Sequence, residues 1–353
     1  MNILYITKLE NSFSNGVTVA VLQLLNVIAD YASVFWLDIG NISLNVNKKI
    51  KKVGMSNYMD FNYDIAVIED PFNSITFCEI ANNLNMKKVP YILSPHGCFH
   101  KVALKRKWLK KKIAINTIFR KYLNGCYGTQ FLTENEQKNS INFNKSIIIP
   151  NGIEIKNTNI VPNRIKKMVF IGRKDVEHKG IDLLIEAVIR IKAELEKREC
   201  EIMLYGPTNK SKDDKYIIDR ILSNDLENIV INKGAVFGNE KEDVLCTSDA
   251  YIQTSRHEGF PMSILEALTY GLPVLVTEGT NMTNIIKENN AGFVCGDNID
   301  EIANMIKEAI NCKNTNILSK NAKKLAQKYT WEEISKTTIK KYETIITEKK
   351  NER

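Results

Sequence analysis

The sequence predicts an α/β chain of two doubly wound domains in series, each a parallel sheet with helices on both faces. Three observations carry that expectation. Short strand-like runs alternate with helical patterns along the whole chain, which implies βαβ units. Runs such as Met168-Val-Phe-Ile171 and Pro273-Val-Leu-Val276 are apolar throughout, as strands covered on both faces should be. The length of 353 residues, 44% hydrophobic and 25% charged, suits about two domains with cores of their own.

The elements follow in order. In the first half, strands are expected at 2–7, 33–37, 65–69, 90–94, 129–133 and 146–149. Helical patterns fill 17–30, 74–85, 101–123 and 134–142. In the second half, strands fit 167–172, 201–205, 228–232, 250–253, 273–276 and 293–295. Helices fit 180–198, 212–223, 239–247, 262–270, 283–288 and 299–312. The polar stretch 154–164, after Pro150-Asn-Gly152, reads as the linker. The helices 315–328 and 331–348 have no strand after them. The expected domains are therefore 1–153, 154–330 and a terminal helix, 331–353, that packs back on the first domain.

Composition and missing motifs exclude several classes. The longest apolar runs fall far short of the roughly 20 residues a membrane span needs. The start, Met1 to Thr7, reads as a first strand and not as a signal peptide. Seven scattered cysteines, odd in number and without C-x-x-C, argue for reduced thiols in a cytosolic protein, against a disulfide framework and against a zinc site. No G-x-G-x-x-G follows the first strand, so a nicotinamide or flavin site has little support. No P-loop, G-x-S-x-G or H-E-x-x-H occurs. No D-x-D is present to bridge a metal to a diphosphate.

Charge is local. The net charge is +8, yet residues 151–353 hold 31 basic and 31 acidic side chains. The excess resides in 101–121, which has nine basic residues and no acid. There Leu104, Trp108, Ile115, Phe119 and Tyr122 recur at helical spacings. A basic amphipathic helix has an anionic membrane surface as one candidate partner and plain solvent as the other. Nucleic acid is not expected, because no binding fold or aromatic stacking motif accompanies the charge.

The most informative stretch is Ser255-Arg-His-Glu258-Gly-Phe-Pro-Met-Ser-Ile-Leu-Glu266. It follows the strand 250–253 and opens a helix near Pro261, a residue suited to a first helical turn. Free N–H groups around Gly259, Phe260, Met262 and Ser263 then make an anion site at a helix N-terminus, suited to phosphate. Pro261 itself has no N–H. Glu258 and Glu266 lie about 10 Å apart at roughly 1.5 Å of rise per residue. Two carboxylates flanking a diphosphate cradle can each hold sugar hydroxyls. Retaining glycosidases space two carboxyls about 5 Å apart, so double displacement between these two is not expected. A second element, Gly172-Arg173 to Lys179-Gly180, places two cations at the carboxyl end of a parallel strand, where open α/β sheets bind ligands. Arg173 offers a planar fork and Lys179 a compact charge for phosphate oxygens.

With Asn15-Gly16-Val17, Ser94-Pro-His96-Gly97, Leu132-Thr-Glu-Asn-Glu136, Ile149-Pro-Asn-Gly152 and Tyr205-Gly-Pro207 added, the pattern resembles a family 4 glycosyltransferase. This is the retaining, bacterial group 1 type with the GT-B architecture, two Rossmann-like domains facing across a cleft. The resemblance covers nearly the whole chain. It departs in the first loop, where the family often has two glycines and Asn15 replaces the first. It implies transfer of a hexosyl unit from a nucleotide sugar, with UDP the expected base, to a sugar or lipid-linked acceptor, without metal or cofactor. Arg173 and Lys179 would then bind the diphosphate, with main-chain help from Gly16, Gly259, Phe260 and Met262 around Pro261. Glu266 would hold the ribose, Glu258 the donor sugar, and main chain near Val236 the base. His96 would hold a donor hydroxyl or steady positive charge at the sugar. The abundance of Asn, Ile and Lys points to an AT-rich bacterial genome and so to surface polysaccharide, lipopolysaccharide or capsule synthesis, cytoplasmic or peripheral at the inner face of the membrane. A sugar phosphorylase or a nucleotide-sugar epimerase on the same architecture, and a silent nucleotide-sugar-binding module, stay open as alternatives.

Overall fold

The structure, a computed structural model, describes residues 1–9, 16–40, 46–101, 104, 108–156, 161–208 and 211–351. It divides into two compact units, Met1–Gly152 with Trp331–Arg353, and Ile153–Thr330. Ile153 opens the second unit because its N–H bonds the Tyr329 carbonyl and it bridges to Thr330.

The first unit runs β1 (Asn2–Thr7), α1 (Gly16–Ile28), β2 (Ser33–Asp38), β3 (Lys51–Lys52), β4 (Ile65–Glu69), α2 (Thr76–Met86), β5 (Tyr91–Ser94), α3 (Trp108–Asn116), α4 (Arg120–Asn124), β6 (Gly128–Phe131), α5 (Glu134–Lys138) and β7 (Lys145–Ile148). The two-residue β3 is too short to show as a pattern. The sheet order is β3-β2-β1-β4-β5-β6-β7, parallel throughout. All five residues of β4 are buried, which matches its apolar run between two helical layers. Leu4, Ile6, Ala66, Ile68 and Leu93 pack with Phe77, Ile80 and Leu84 of α2 in the core.

Among the described residues, the helix expected over 101–123 is not continuous. Residues 102–103 and 105–107 lie outside the described residues. Beyond them, 117–119 form a turn. Thr117 Oγ1 donates to the Ile113 carbonyl at 2.7 Å, and the Phe119 N–H reaches the Ala114 carbonyl at 2.9 Å. Such back-bonding competes with the regular ladder. Ile115 and Phe119 pack on the core and Tyr122 is buried, so that part of the expected apolar stripe faces inward. Leu109, Ile113 and Ile118 are more than half exposed beside Lys110 and Lys112.

The second unit runs β8 (Lys167–Ile171), α6 (Ile181–Arg190), α7 (Lys192–Lys197), β9 (Glu201–Tyr205), α8 (Ser211–Leu222), β10 (Val230–Asn232), α9 (Gly238–Cys246), β11 (Ala250–Gln253), α10 (Met262–Thr269), β12 (Val274–Thr277), α11 (Thr283–Glu288), β13 (Gly292–Cys295), α12 (Ile299–Asn311) and α13 (Thr315–Gln327). Its parallel sheet has the order β10-β9-β8-β11-β12-β13. The helix expected over 180–198 is broken at Ile191, whose φ of −116° and ψ of 19° leave the helical region. In α12, Ile302, Met305, Ile306, Ala309 and Ile310 recur every three or four residues and are buried. Its first turn is capped by the Asn298 side chain, which accepts the Glu301 N–H at 3.0 Å.

The last helix, α14 (Trp331–Asn351), belongs to the first unit. Tyr342 is fully buried there, and its hydroxyl donates to Gln130 Oε1 at 2.8 Å. A Cβ at Gly152 would overlap the Trp331 ring, so the chain can pass the helix start only as glycine.

Candidate active site

In the second unit the strand order reverses between β8 and β11. Loops leaving two such strands run to opposite faces, and a crevice opens at their carboxyl ends. The loop after β8 carries Arg173 and Lys179. The loop after β11 carries Ser255 to Pro261. Gly180 brings them together. It has φ +63°, a Cβ there would overlap the Thr254 carbonyl oxygen, and Thr254 Oγ1 donates to the Gly180 carbonyl at 2.9 Å. That close approach sets Lys179 Nζ 2.5 Å from Glu258 Oε1, with the two side chains 15% and 12% exposed. The same oxygen accepts from Ser255 Oγ at 2.7 Å and Gln253 Nε2 at 3.0 Å. Gln253 in turn accepts from Ser263 Oγ at 3.0 Å. Arg173 is exposed, and among the described residues its guanidinium has no side-chain partner.

Pro261 is the residue before the helix, not its first residue. Its ψ of 107° is extended, while its carbonyl accepts the Ile264 N–H at 3.1 Å. Helix α10 therefore starts at Met262, and the N–H groups of Met262 and Ser263 precede any acceptor within the helix. Asn281 Nδ2 donates to the Glu258 carbonyl and holds this loop from the far side. The Phe260 side chain is buried and packs on Tyr329, with ring centroids 5.7 Å apart. Val236 and Pro261 are buried as well, so these three residues offer a ligand main chain and not side chain. Glu266, one turn further along α10, is paired with Lys241 of α9.

Burial pushes the Glu258 carboxyl up, but the Lys179 charge, its hydrogen bond and that of Ser255 bring it below its ordinary value. The His178 and His257 rings meet edge to face with centroids 4.2 Å apart, one on each of the two loops. Burial holds both imidazoles below their ordinary value, and for His257 the neighbouring His178 adds to this. Lys174 is 4% exposed and donates to Asn232 Oδ1 at 2.6 Å and to the Lys233 carbonyl at 2.8 Å. It thereby pins the segment that leads to Gly234 and Val236.

Residues 153–328 match the family model of the glycosyl transferases group 1. The matched segment is just under half of the chain and resembles the group 1 glycosyltransferases. An uncharacterized glycosyltransferase of Methanocaldococcus jannaschii is 29% identical over 180 residues, which cover 50% of this chain and 44% of that protein. A second one from the same organism is 22% identical over 89% of this chain and 97% of its own length. The chain thus spans less than half of the first relative. The crystal structure of HepE from Anabaena in complex with UDP superposes with a TM-score of 0.73 at 16% identity, covering 98% of this chain and 100% of HepE. The shared fold is GT-B, with two parallel-sheet Rossmann-like units.

The other expected site residues lie outside the matched segment, in the first unit. Gly16 opens α1 and is exposed, and Asn15 before it is outside the described residues. His96 follows β5 with φ +45°. Its Nε2 lies 2.6 Å from Glu69 Oε2 and 3.3 Å from Ser94 Oγ. The Gly97 N–H donates to Glu136 Oε1 at 2.9 Å, and the Leu132 N–H to Glu136 Oε2 at 2.7 Å. Sequence reading missed Glu69, Lys174, Gln253, Lys241, Asn281 and the His178–His257 contact. One signal was available for Glu69, a lone acid ending an apolar strand. None was available for Lys241 or Asn281.

Among the described residues no group of three or more His, Cys, Asp or Glu is placed to hold a metal ion, and no helix is long and apolar enough to cross a membrane.

Proposed function

We propose that this chain transfers a hexosyl unit from a nucleotide sugar, with UDP as the base, to an acceptor hydroxyl. The observation that carries the reading is the Lys179–Glu258 pair, set beside exposed Arg173 and the start of α10 at the switch point. An ammonium has three N–H groups, and one on Glu258 leaves two for phosphate oxygens. The pair is neutral as a unit, so Arg173 is the uncompensated cation that a diphosphate meets. Met262 and Ser263 N–H add donors that need no reorganisation as charge grows on the leaving phosphate. Glu258 orients the donor sugar, Glu266 takes the ribose, the main chain near Val236 takes the base, and His96 serves the transferred sugar. Arg173, Lys179 and the helix N–H groups are the donors this reading assigns to the diphosphate, and the proposed transfer uses no metal. Retention follows if the leaving phosphate accepts the acceptor's proton on the same face. UDP as base is supported by the HepE complex.

A lipid-linked acceptor and a role in surface polysaccharide or glycolipid synthesis, at the inner face of the membrane, complete the proposal. Leu109, Ile113 and Ile118 exposed beside lysines support this part.

Titration calorimetry with UDP, GDP and ADP, with EDTA or Mg²⁺, tests the reading. UDP should bind equally well in both buffers, and Glu266→Ala should weaken it at least about tenfold, a loss of about 1.4 kcal/mol. Binding of no nucleotide would overturn the assignment. Release of sugar 1-phosphate from an oligosaccharide that depends on inorganic phosphate, or interconversion of the UDP-sugar without acceptor, would favour the phosphorylase or the epimerase.

A further inference from the structure

The first unit also has a switch point, between β1 and β4. Glu69 is the last residue of β4, in register with Ser94 at the end of β5. Two residues on, His96 takes φ +45°, a left-handed backbone that non-glycine residues adopt only when the surroundings enforce it. Glu136 grips the Gly97 N–H just beyond it, and the resulting turn lays the imidazole on Glu69. The ring side chain is 8% exposed and the Glu69 side chain 2% exposed.

We propose that Glu69 is a positioning residue that keeps His96 as an imidazolium, so that His96 donates hydrogen bonds to the substrate and does not accept a proton. The inference rests on the glycosyltransferase reading above. Among the described residues, Nδ1 has no protein partner, while Nε2 is committed to Glu69 and Ser94. A neutral ring with Nε2–H on Glu69 would carry a lone pair at Nδ1. A charged ring carries an N–H there instead. Which form holds depends on the surroundings. Burial favours the neutral ring. Against it stand the Glu69 charge and hydrogen bond, then Glu136 on α5 and Asp70 after β4, and together these raise His96 above its ordinary value. An N–H at Nδ1 binds a hydroxyl or phosphate oxygen. It cannot take the acceptor's proton, which goes instead to the leaving phosphate.

The chain has four histidines, so the full-length protein labelled with ¹³C at imidazole Cε1 yields few signals, and His96→Asn assigns the one that matters. In the wild type, the His96 signal should titrate above about pH 6.5, the ordinary value. Glu69→Gln keeps a hydrogen-bond acceptor and removes the charge. It should lower the midpoint by at least about one pH unit, a tenfold change in the protonation equilibrium. The alkaline limb of kcat for sugar transfer should move down by the same amount, with UDP affinity unchanged, and Glu69→Asp should restore both. A wild-type midpoint at or below 6.5 overturns the inference. So does an unmoved midpoint in Glu69→Gln, or a moved midpoint with an unmoved rate profile. If Glu69→Gln does not fold, the wild-type midpoint decides alone. Failure of the wild type to bind UDP counts against the transferase reading, and the titration still reports on Glu69.

Discussion

Glu258 shows how single residues set the state of the cradle. Its Oε1 gathers Lys179, Ser255 and Gln253, so the charged form is favoured despite burial. Lys179→Met leaves that carboxylate without its counterion and should cost about 3 kcal/mol, as for other buried pairs broken on one side; urea unfolding measures it. The pH dependence has a definite sign. Glu258 has a lowered value in the folded protein, so its contribution is present above the unfolded value of 4.5 and is lost as pH falls through the folded one. His178 and His257, held neutral, bind fewer protons folded than unfolded. Their contribution is therefore present above about 6.5 and lost as pH falls below it. His96 has the opposite sign and loses its contribution as pH rises through its raised value. Melting temperature should thus fall in two acid steps, one starting near 6.5 and one below 4.5. Glu258→Gln should remove only the lower step, and a lower step retained in that variant would contradict the assignment.

At the scale of elements, α3 carries a divided message. Its periodic residue Ile115, with Phe119 in the turn and Tyr122 after it, was legible as part of an apolar stripe, and all three belong to the core. Leu109 and Ile113 were not singled out, and Ile118 was named only as apolar and off that period, yet these three are the exposed apolar ones. The break at 117–119 shows in no apolar period: Thr117 Oγ1 bonds the Ile113 carbonyl, and Phe119 packs on Phe72 with ring centroids 5.4 Å apart. Each Lys near an anionic surface adds about 1 kcal/mol of membrane affinity. Replacing Lys110 and Lys112 by Ser should therefore weaken binding to phosphatidylglycerol-containing vesicles roughly 30-fold in a sedimentation assay, with melting temperature unchanged. Equal binding would leave α3 as a solvated face.

For the whole molecule, two switch points in two sheets organise the site residues, and α14 belongs to the unit that the chain leaves at Gly152. That return is held by buried side chains, so it should be sensitive to small changes. Tyr342→Phe removes a hydroxyl from Gln130 and leaves that amide oxygen unpaired inside. About 1 kcal/mol of stability should be lost, as for a typical buried hydrogen bond, read as a lower urea midpoint. An unchanged midpoint would mean that α14 adds little to the first unit.

What the amino-acid sequence determined by itself was the run of strands and helices, the two-domain organisation and the loops bearing Arg173, Lys179, Glu258 and Glu266. These are local patterns: apolar period, turn residues, and a proline before a helix. What only the tertiary structure decided was which side chains meet. Lys179 and Glu258 are 79 residues apart, and Glu69 and His96 are 27 apart. Lys241 on Glu266, Asn281 on the Glu258 carbonyl and His178 against His257 are of the same kind. The physical reason is that such partners are set by strand order and by backbone approach at glycines such as Gly180. Both are properties of the assembled sheet, and no short window of residues encodes them.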